Sequence, residues 1–352
     1  MKLRELFFNL TKKRAALILL SLIVALAAGF RLWSDRPVTV TKNLFAMGTV
    51  FEITVSGKNA PAAIESAFAE IKRIEAVTQN DGNSDLARIN RNSGINPVKV
   101  GPEIIAILTV VKKHYPELAG AFDPTIGPLV NLWGFGPNGE PRLPSAKDIV
   151  SRLPLVDFNQ VRINREEQTV YLAKSDMRLD LGGIAKGYAV DRVYQIFKKR
   201  RIKSALINGG SSSIRVIGKK GTTDWALGIG HPRRAGKLLG ILNLPGDRAL
   251  GTSADTQNFF IKDGKRYSHL INPKTGFPAR DKILVTVTAP TAVAADLLST
   301  AFFILPSTKL EAYPLNHPAI KAVIFNASNK LINLGETTFK KTVIDPPTPY
   351  SY

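Results

Sequence analysis

Leu179-Asp180-Leu181-Gly182-Gly183-Ile184-Ala185-Lys186-Gly187-Tyr188-Ala189-Val190-Asp191 is the stretch from which the rest of the chain can be laid out. An apolar, strand-like run closes at Asp180 and Leu181, Gly182 and Gly183 make a tight turn, and helical spacing carries on through Val190, Val193 and Phe197. A strand that feeds a helix through glycines leaves backbone N–H groups unpartnered at the helix start. With Lys186 beside them, those groups suit a phosphorylated ligand. Asp180 offers the opposite chemistry, an acceptor for a hydroxyl, an N–H or a metal. The same letters also describe an ordinary helix start with Asp180 buried and paired, so other parts of the chain have to decide.

Downstream, a strand at 205–208 opens into Gly209-Gly210-Ser211-Ser212-Ser213, and β patterns follow at 214–217, 225–229, 240–244 and 284–289. Residues 292–303 then read as an apolar helix interrupted by one carboxylate, Asp296, which is costly to bury without a metal or a firm hydrogen-bond partner. Upstream, strands at 161–163 and 169–172 follow a proline-rich excursion with a short helix at 138–155. Before that, residues 120–136 carry Pro124, Gly127 and Pro128 among Phe122, Trp133 and Phe135, the composition of an ordered loop. Its aromatics could sandwich a flat ring or simply plug the domain. Helices are expected at 102–114 and 60–77, the latter with a core stripe of Ile64, Ala67, Phe68, Ile71 and Ile74, and a polar loop leading into a short helix fills 80–96. A strand pair at 42–56 turns near Met47-Gly48-Thr49.

The chain has 352 residues, of which 44% are hydrophobic, enough for a substantial core. Zero cysteines exclude disulfides, thiolate zinc sites, iron–sulfur ligation and cysteine nucleophiles. The formal charge of +20 brings nucleic acid, anionic lipid and acidic partners into view. No reader motif accompanies the basic residues, which favours a face toward a membrane over nucleic acid. Residues 1–33 have a basic start and an uncharged run from Ala15 to Phe30, short of the roughly 20 residues that span a bilayer comfortably. Ala25-Leu26-Ala27 could be a cleavage site, but the Arg31 and Trp33 flank reads as an interfacial stop, so an anchor is expected. The body would then be exported, held to the inner membrane and working in the periplasm, and with no cysteine there is no lipid anchor. A linker at 34–42, one domain at 43–340 and a tail at 341–352 complete the expected organisation.

Met47-Gly48-Thr49, Ala121-Phe122-Asp123-Pro124-Thr125, the 179–191 stretch, Ser268-His269-Leu270-Ile271-Asn272-Pro273-Lys274-Thr275-Gly276, and Ala295-Asp296 with Ser299-Thr300 together resemble the ApbE family of FAD:protein FMN transferases. The resemblance runs in the family's order from about residue 43 to 336. It implies an α+β fold of two interleaved parts, sometimes called T-fold-like, an exported protein, FAD as substrate and Mg²⁺ as metal. It also implies transfer of FMN through a phosphoester bond to a threonine or serine of a target flavoprotein, such as a respiratory complex subunit, with release of AMP. By the same resemblance Met47, Ala121, Phe122, Asp123, Asp180, Lys186 and Ile271 would lie on the FAD, and the Gly183 carbonyl, Asp296 and Thr300 would hold Mg²⁺. Asn80 stands where many members carry a tyrosine on the flavin or adenine.

The residue types suit that reaction. Asp296 and Thr300, at i and i+4, put a carboxylate and a hydroxyl on one helix face, within reach of one hard cation. Of four histidines only His269 sits in a motif, and an imidazole with an ordinary pKa of about 6.5 can take the proton of an attacking hydroxyl. It could equally hold a backbone carbonyl near Pro273. His114, His231 and His317 read as structural. Two other functions share these letters: an FAD pyrophosphatase, in which water attacks to give FMN and AMP, and a non-catalytic flavin-binding or assembly protein.

Overall fold

The computed structural model describes residues 38–136 and 139–344. The expected membrane segment at 1–33 lies outside them, and among the described residues no helix is long and apolar enough to cross a membrane. Eight antiparallel strands form the main sheet, in the order Thr39–Ala46, Thr49–Ser56, Ser204–Gly209, Ser213–Ile217, Ala249–Ala254, Lys282–Ala289, Lys321–Asn326, Leu331–Leu334. Period-two alternation gives this sheet two apolar faces. Ile217, Ala249, Val285 and Ile324 point one way into the larger core, and Val216, Leu250, Leu284 and Phe325 point the other way. Helices Ala60–Thr78, Ala185–Lys199 and Ala292–Ile304 cover the first face. A three-stranded sheet of Trp225–Gly230, Leu238–Leu244 and Phe339–Ile344 covers the second. The expected α+β class is the observed one.

Two expectations are corrected. The run before Gly182 is not a strand: it makes a single parallel bridge, Ile126 to Arg178, and the Asp180 N–H donates to the Pro124 carbonyl at 2.7 Å. Its neighbour is the irregular 120–126 segment, which cannot offer a continuous ladder, so pairing stops there. The supposed loop at 120–136 contains helix Gly127–Leu132, because Pro128 falls in its first turn, where a proline lacks no needed hydrogen bond. Trp133 is fully buried and donates its indole N–H to the Gly276 carbonyl at 2.8 Å. It packs on Tyr267, Phe260 and Phe277, so it is a plug rather than half of a ring sandwich.

Helix Ala292–Ile304 is held at both ends. The Asp191 carboxylate accepts the Ala292 and Val293 N–H groups at 2.8 and 2.9 Å, and pairs with buried Arg215 at 2.5 Å. Arg215 in turn lies 3.4 Å over the Tyr194 ring. At the other end the buried Lys282 ammonium donates to the Leu305 and Phe303 carbonyls. A carboxylate at the helix start and a cation at its end both oppose the helix dipole.

Glu70 ties helix Ala60–Thr78 to helix Ala185–Lys199. It accepts from Arg73 and Arg192, each at 2.9 Å, while Arg73 also reaches Glu103 at 2.7 Å. The hydrogen bond from Arg73 leads the effects that bring the Glu70 pKa down to about 2 from 4.5. A folded-state pKa below the unfolded one adds stability that is fully present above pH 4.5 and is lost as pH falls toward 2. Glu70→Gln is therefore expected to cost about 1–2 kcal/mol at pH 7, kept small because both arginines are nearly half exposed, and progressively less below pH 4.5. Urea unfolding at pH 7 and pH 3 checks this; an equal cost at both would deny the pair its role.

Candidate active site

The residues of interest converge on a cleft of about 280 Å³ formed by the turn at 180–186, the 121–135 segment, the 268–273 motif and the inner face of helix Ala292–Ile304. Ala121, Phe122, Asp123, Asp180, Gly183, Lys186, His269, Ile271, Asp296 and Thr300 all line it. Met47 and Asn80 do not. Met47 is the first residue of a two-residue hairpin turn, with φ of 51° followed by 72° at Gly48, and its side chain packs against the main core. The Asn80 side-chain oxygen accepts from Asn90 and Arg178, each at 2.9 Å, which fastens the chain leading into the glycine turn.

Asp296 is 6% exposed, with Oδ2 accepting the Gly187 N–H and the Ser213 hydroxyl, both at 2.7 Å. Its Oδ1 takes no hydrogen bond among the described residues. Burial pushes its pKa up to about 7, against the Lys186 charge and those two donors. Gly187 is needed for this contact: a Cβ there would stand 2.4 Å from the Ala292 carbonyl oxygen and 2.9 Å from the Asp296 carboxyl carbon. One turn along, the Thr300 hydroxyl lies 3.1 Å from that of Ser253, which lies 2.9 Å from that of Ser299. The Gly183 backbone closes the group, since a Cβ there would be 3.6 Å from the Thr300 hydroxyl. These are oxygen donors around one carboxylate. Among the described residues there is no cluster of three or more His, Cys, Asp or Glu, so a soft metal finds no home, whereas a hard cation that keeps waters or phosphate oxygens fits.

The N–H groups of the glycine turn are less available than the sequence suggests. Gly182 donates to Asp180 Oδ1 at 2.8 Å, Ala185 to the Leu181 carbonyl at 2.8 Å, and Gly187 to Asp296. The positive charge facing the cleft is therefore chiefly the half-buried Lys186 ammonium, 3.4 Å from the Gly182 carbonyl. Asp123 is saturated as well. Oδ1 accepts the Thr125 N–H and hydroxyl at 2.8 and 2.6 Å, and Oδ2 accepts Tyr115 and the Phe158 N–H at 2.9 and 3.0 Å. What it gives the cleft is a fixed loop rather than a free carboxylate.

The His269 backbone N–H and ring Nδ1 both meet the Asn258 carbonyl, at 2.9 and 3.2 Å. A carbonyl only accepts, so Nδ1 carries the hydrogen and Nε2 keeps its lone pair. Burial first, with Lys186 adding to it, pushes the His269 pKa below its ordinary value, which keeps the ring neutral. The carbonyl it holds is that of Asn258, eleven residues upstream, rather than one near Pro273, and this contact prepares the ring to accept a proton. None of the other histidines lines the cleft: His317 pairs with Glu117 and stacks on Tyr313, and the His231 Nδ1 accepts the Arg233 N–H at 3.1 Å. Sequence reasoning missed Ser212, Ser213, Ser253 and Asn258 as cleft residues. Runs of small hydroxyl residues directly after glycines, at 209–213 and 251–253, were the available signal.

The sequence model of the ApbE family matches residues 47–324. The FAD:protein FMN transferase of Haemophilus influenzae is 29% identical over 345 residues, covering 92% of this chain and 97% of that protein. The one from Treponema pallidum is 31% identical over 296 residues, covering 79% and 82%. Of solved structures, an ApbE protein from Thermotoga maritima aligns with a TM-score of 0.78 at 30% identity, covering 85% of this chain and 97% of that one. A variant of the flavin transferase ApbE from Vibrio cholerae aligns with a TM-score of 0.73 at 25% identity, covering 86% and 97%.

Proposed function

The chain belongs to the ApbE family, and from that membership we propose the reaction its cleft carries out. It is an FAD:protein FMN transferase. A threonine or serine hydroxyl of a target flavoprotein attacks the FMN phosphorus of FAD. The new bond joins that oxygen to phosphorus, the bond to the bridging oxygen breaks, and AMP leaves with the bridging oxygen. The attacking hydroxyl gives its proton to Nε2 of His269, whose Nδ1–H is fixed on the Asn258 carbonyl. Lys186 draws the two phosphates into the cleft, and Phe122 and Ile271 supply apolar walls for the flavin. Asp296, Thr300 and the Gly183 carbonyl would hold Mg²⁺, which when bound offsets negative charge on the phosphates. The observation that carries the reading is the convergence of Asp296, Thr300, Lys186 and His269 on one cleft.

The basic start and apolar run of residues 1–33 support an inner-membrane anchor with the domain on the periplasmic side. The test of the reaction is to mix the protein with FAD, Mg²⁺ and a threonine-bearing respiratory flavoprotein and to look for flavin fluorescence on the denatured acceptor. Fluorescence that fails to form when a chelator is present during the reaction supports the transferase; free FMN and AMP with a dark acceptor would favour the pyrophosphatase. His269→Ala is expected to lower transfer by about 10²–10⁴-fold with FAD binding retained, as for loss of a general base. If FAD no longer bound, the base role would lose its support.

A further inference from the structure

A second, larger concavity of about 800 Å³ lies on the far side of the wall that bounds the cleft. The two share that wall closely: Ser268 lines the groove and His269 the cleft, while Asp255 lines the groove and Gln257 and Asn258 the cleft. The groove's rim is cationic. Arg233, Arg234, Lys265, Arg266, Arg280 and Lys341 line it. Its one carboxylate, Asp255, is engaged by both guanidinium nitrogens of Arg233, at 2.7 and 2.5 Å. Arg234, Lys265, Arg280 and Lys341 are exposed and make no ion pair among the described residues, so net positive charge faces the opening.

Two of these charges are held in place before anything binds. Arg266 lies 3.6 Å over the Phe259 ring and Arg280 4.5 Å over the Tyr267 ring, each on the hairpin of Phe259–Lys262 and Lys265–Ser268. A stacked guanidinium loses less side-chain freedom on binding than a free one. The floor is partly apolar, with Leu239, Ala279, Ile283 and Phe325, and the buried Ser268 hydroxyl at the wall has no hydrogen-bond partner. A concave site with an apolar floor and a cationic rim is poorly matched to a flat bilayer surface, and no stacking platform for bases runs along it. It matches an extended acidic polypeptide.

We propose that this groove docks an acidic segment of the acceptor protein and so delivers the neighbouring hydroxyl across the shared wall to His269. The proposal rests on the transferase reading, because that reaction needs a polypeptide as its second substrate. Opposite charges across the groove would speed encounter and favour acceptors with acidic flanks.

The test uses the full chain and two fluorescein-labelled synthetic peptides, each with one threonine, one carrying a run of glutamates and the other glutamines in their place. Fluorescence anisotropy is expected to give binding about tenfold or more tighter for the glutamate peptide, weakening as salt is added. Arg234→Glu combined with Lys341→Glu should bring that peptide down to the glutamine level while FAD binding is unchanged. Equal binding of the two peptides, or a charge-reversed variant that binds like the parent, would overturn the proposal. So would displacement of the peptide by an oligodeoxynucleotide of equal charge or by phosphatidylglycerol vesicles at lower concentration than unlabelled peptide. FAD consumption, followed separately, keeps the two readings apart. A protein that discriminates the peptides but leaves FAD intact argues against the transferase, and one that consumes FAD but ignores glutamate argues against the groove.

Discussion

Asp296→Ala is expected to abolish flavin transfer, with a loss of about 10³-fold or more, while leaving the fold standing. The other carboxylates lining the cleft are already engaged, Asp123 by Thr125, Tyr115 and the Phe158 N–H and Asp180 by the Gly182 N–H, so neither readily replaces the Asp296 charge beside Thr300 and Ser253. Its effect on stability is smaller because two changes oppose each other. The Gly187 N–H and Ser213 hydroxyl lose their acceptor, but a buried acid whose pKa stands near 7 is removed. The net is expected within about 2 kcal/mol. Transfer assays beside a thermal melt separate the two, and unchanged turnover in a folded variant would end the metal assignment.

The largest structural effect is expected from Asp191→Ala. That side chain holds the first two N–H groups of helix Ala292–Ile304 and neutralises Arg215, which is 6% exposed. Removing it strands a buried guanidinium and frees the Ala292 and Val293 N–H groups of the helix that carries Asp296, whose N-cap Thr291 still holds the Ala294 N–H, at a cost of about 3–5 kcal/mol. A free energy of unfolding in urea lowered by less than about 1 kcal/mol would show that Arg215 finds another partner. Asp191→Asn should fall between, since an amide oxygen can still accept from the helix start but leaves Arg215 without a counter-charge.

Much of the site was legible because it is written in punctuation. Gly182 and Gly183, the Pro273 turn and the solitary Asp296 are each odd in their surroundings, and each lines the cleft or shapes it. What escaped depends on partners far away in the chain. The run at 179–181 has the letters of a strand, yet on one side it meets the proline-broken 120–126 segment in a single bridge, and the Leu179 N–H and carbonyl are taken by the Asn90 side chain at 2.7 and 3.0 Å. Asn80 and Met47 were assigned to the ligand by position in a motif, whereas packing turned one onto Arg178 and the other onto the core. The hairpin at 259–268 was readable in principle. Asp263 and Gly264, with φ of 50° and 68°, are the residues a two-residue hairpin turn requires. Of the strands after residue 303, Lys321–Asn326 and Leu331–Leu334 form a local hairpin whose turn is marked by Asn326 and by Asn329 with φ of 59°, whereas Lys321–Asn326 on Lys282–Ala289 and Phe339–Ile344 on Leu238–Leu244 pair with earlier strands, and nothing local marks those two pairings.

The double clamp on helix Ala292–Ile304 also governs how the site breathes. A helix usually gives up its amide protons from frayed ends inward, while its centre waits for larger openings. Here the first turn is bonded to Asp191 and the last carbonyls to Lys282, so both ends are tied to other elements. Its amides should exchange with solvent deuterium only when the whole domain opens, as slowly at Val293 as at Leu298. Ordering of the Asp296 and Thr300 side chains is then settled when the chain folds, and a ligand that arrives later finds little there left to freeze.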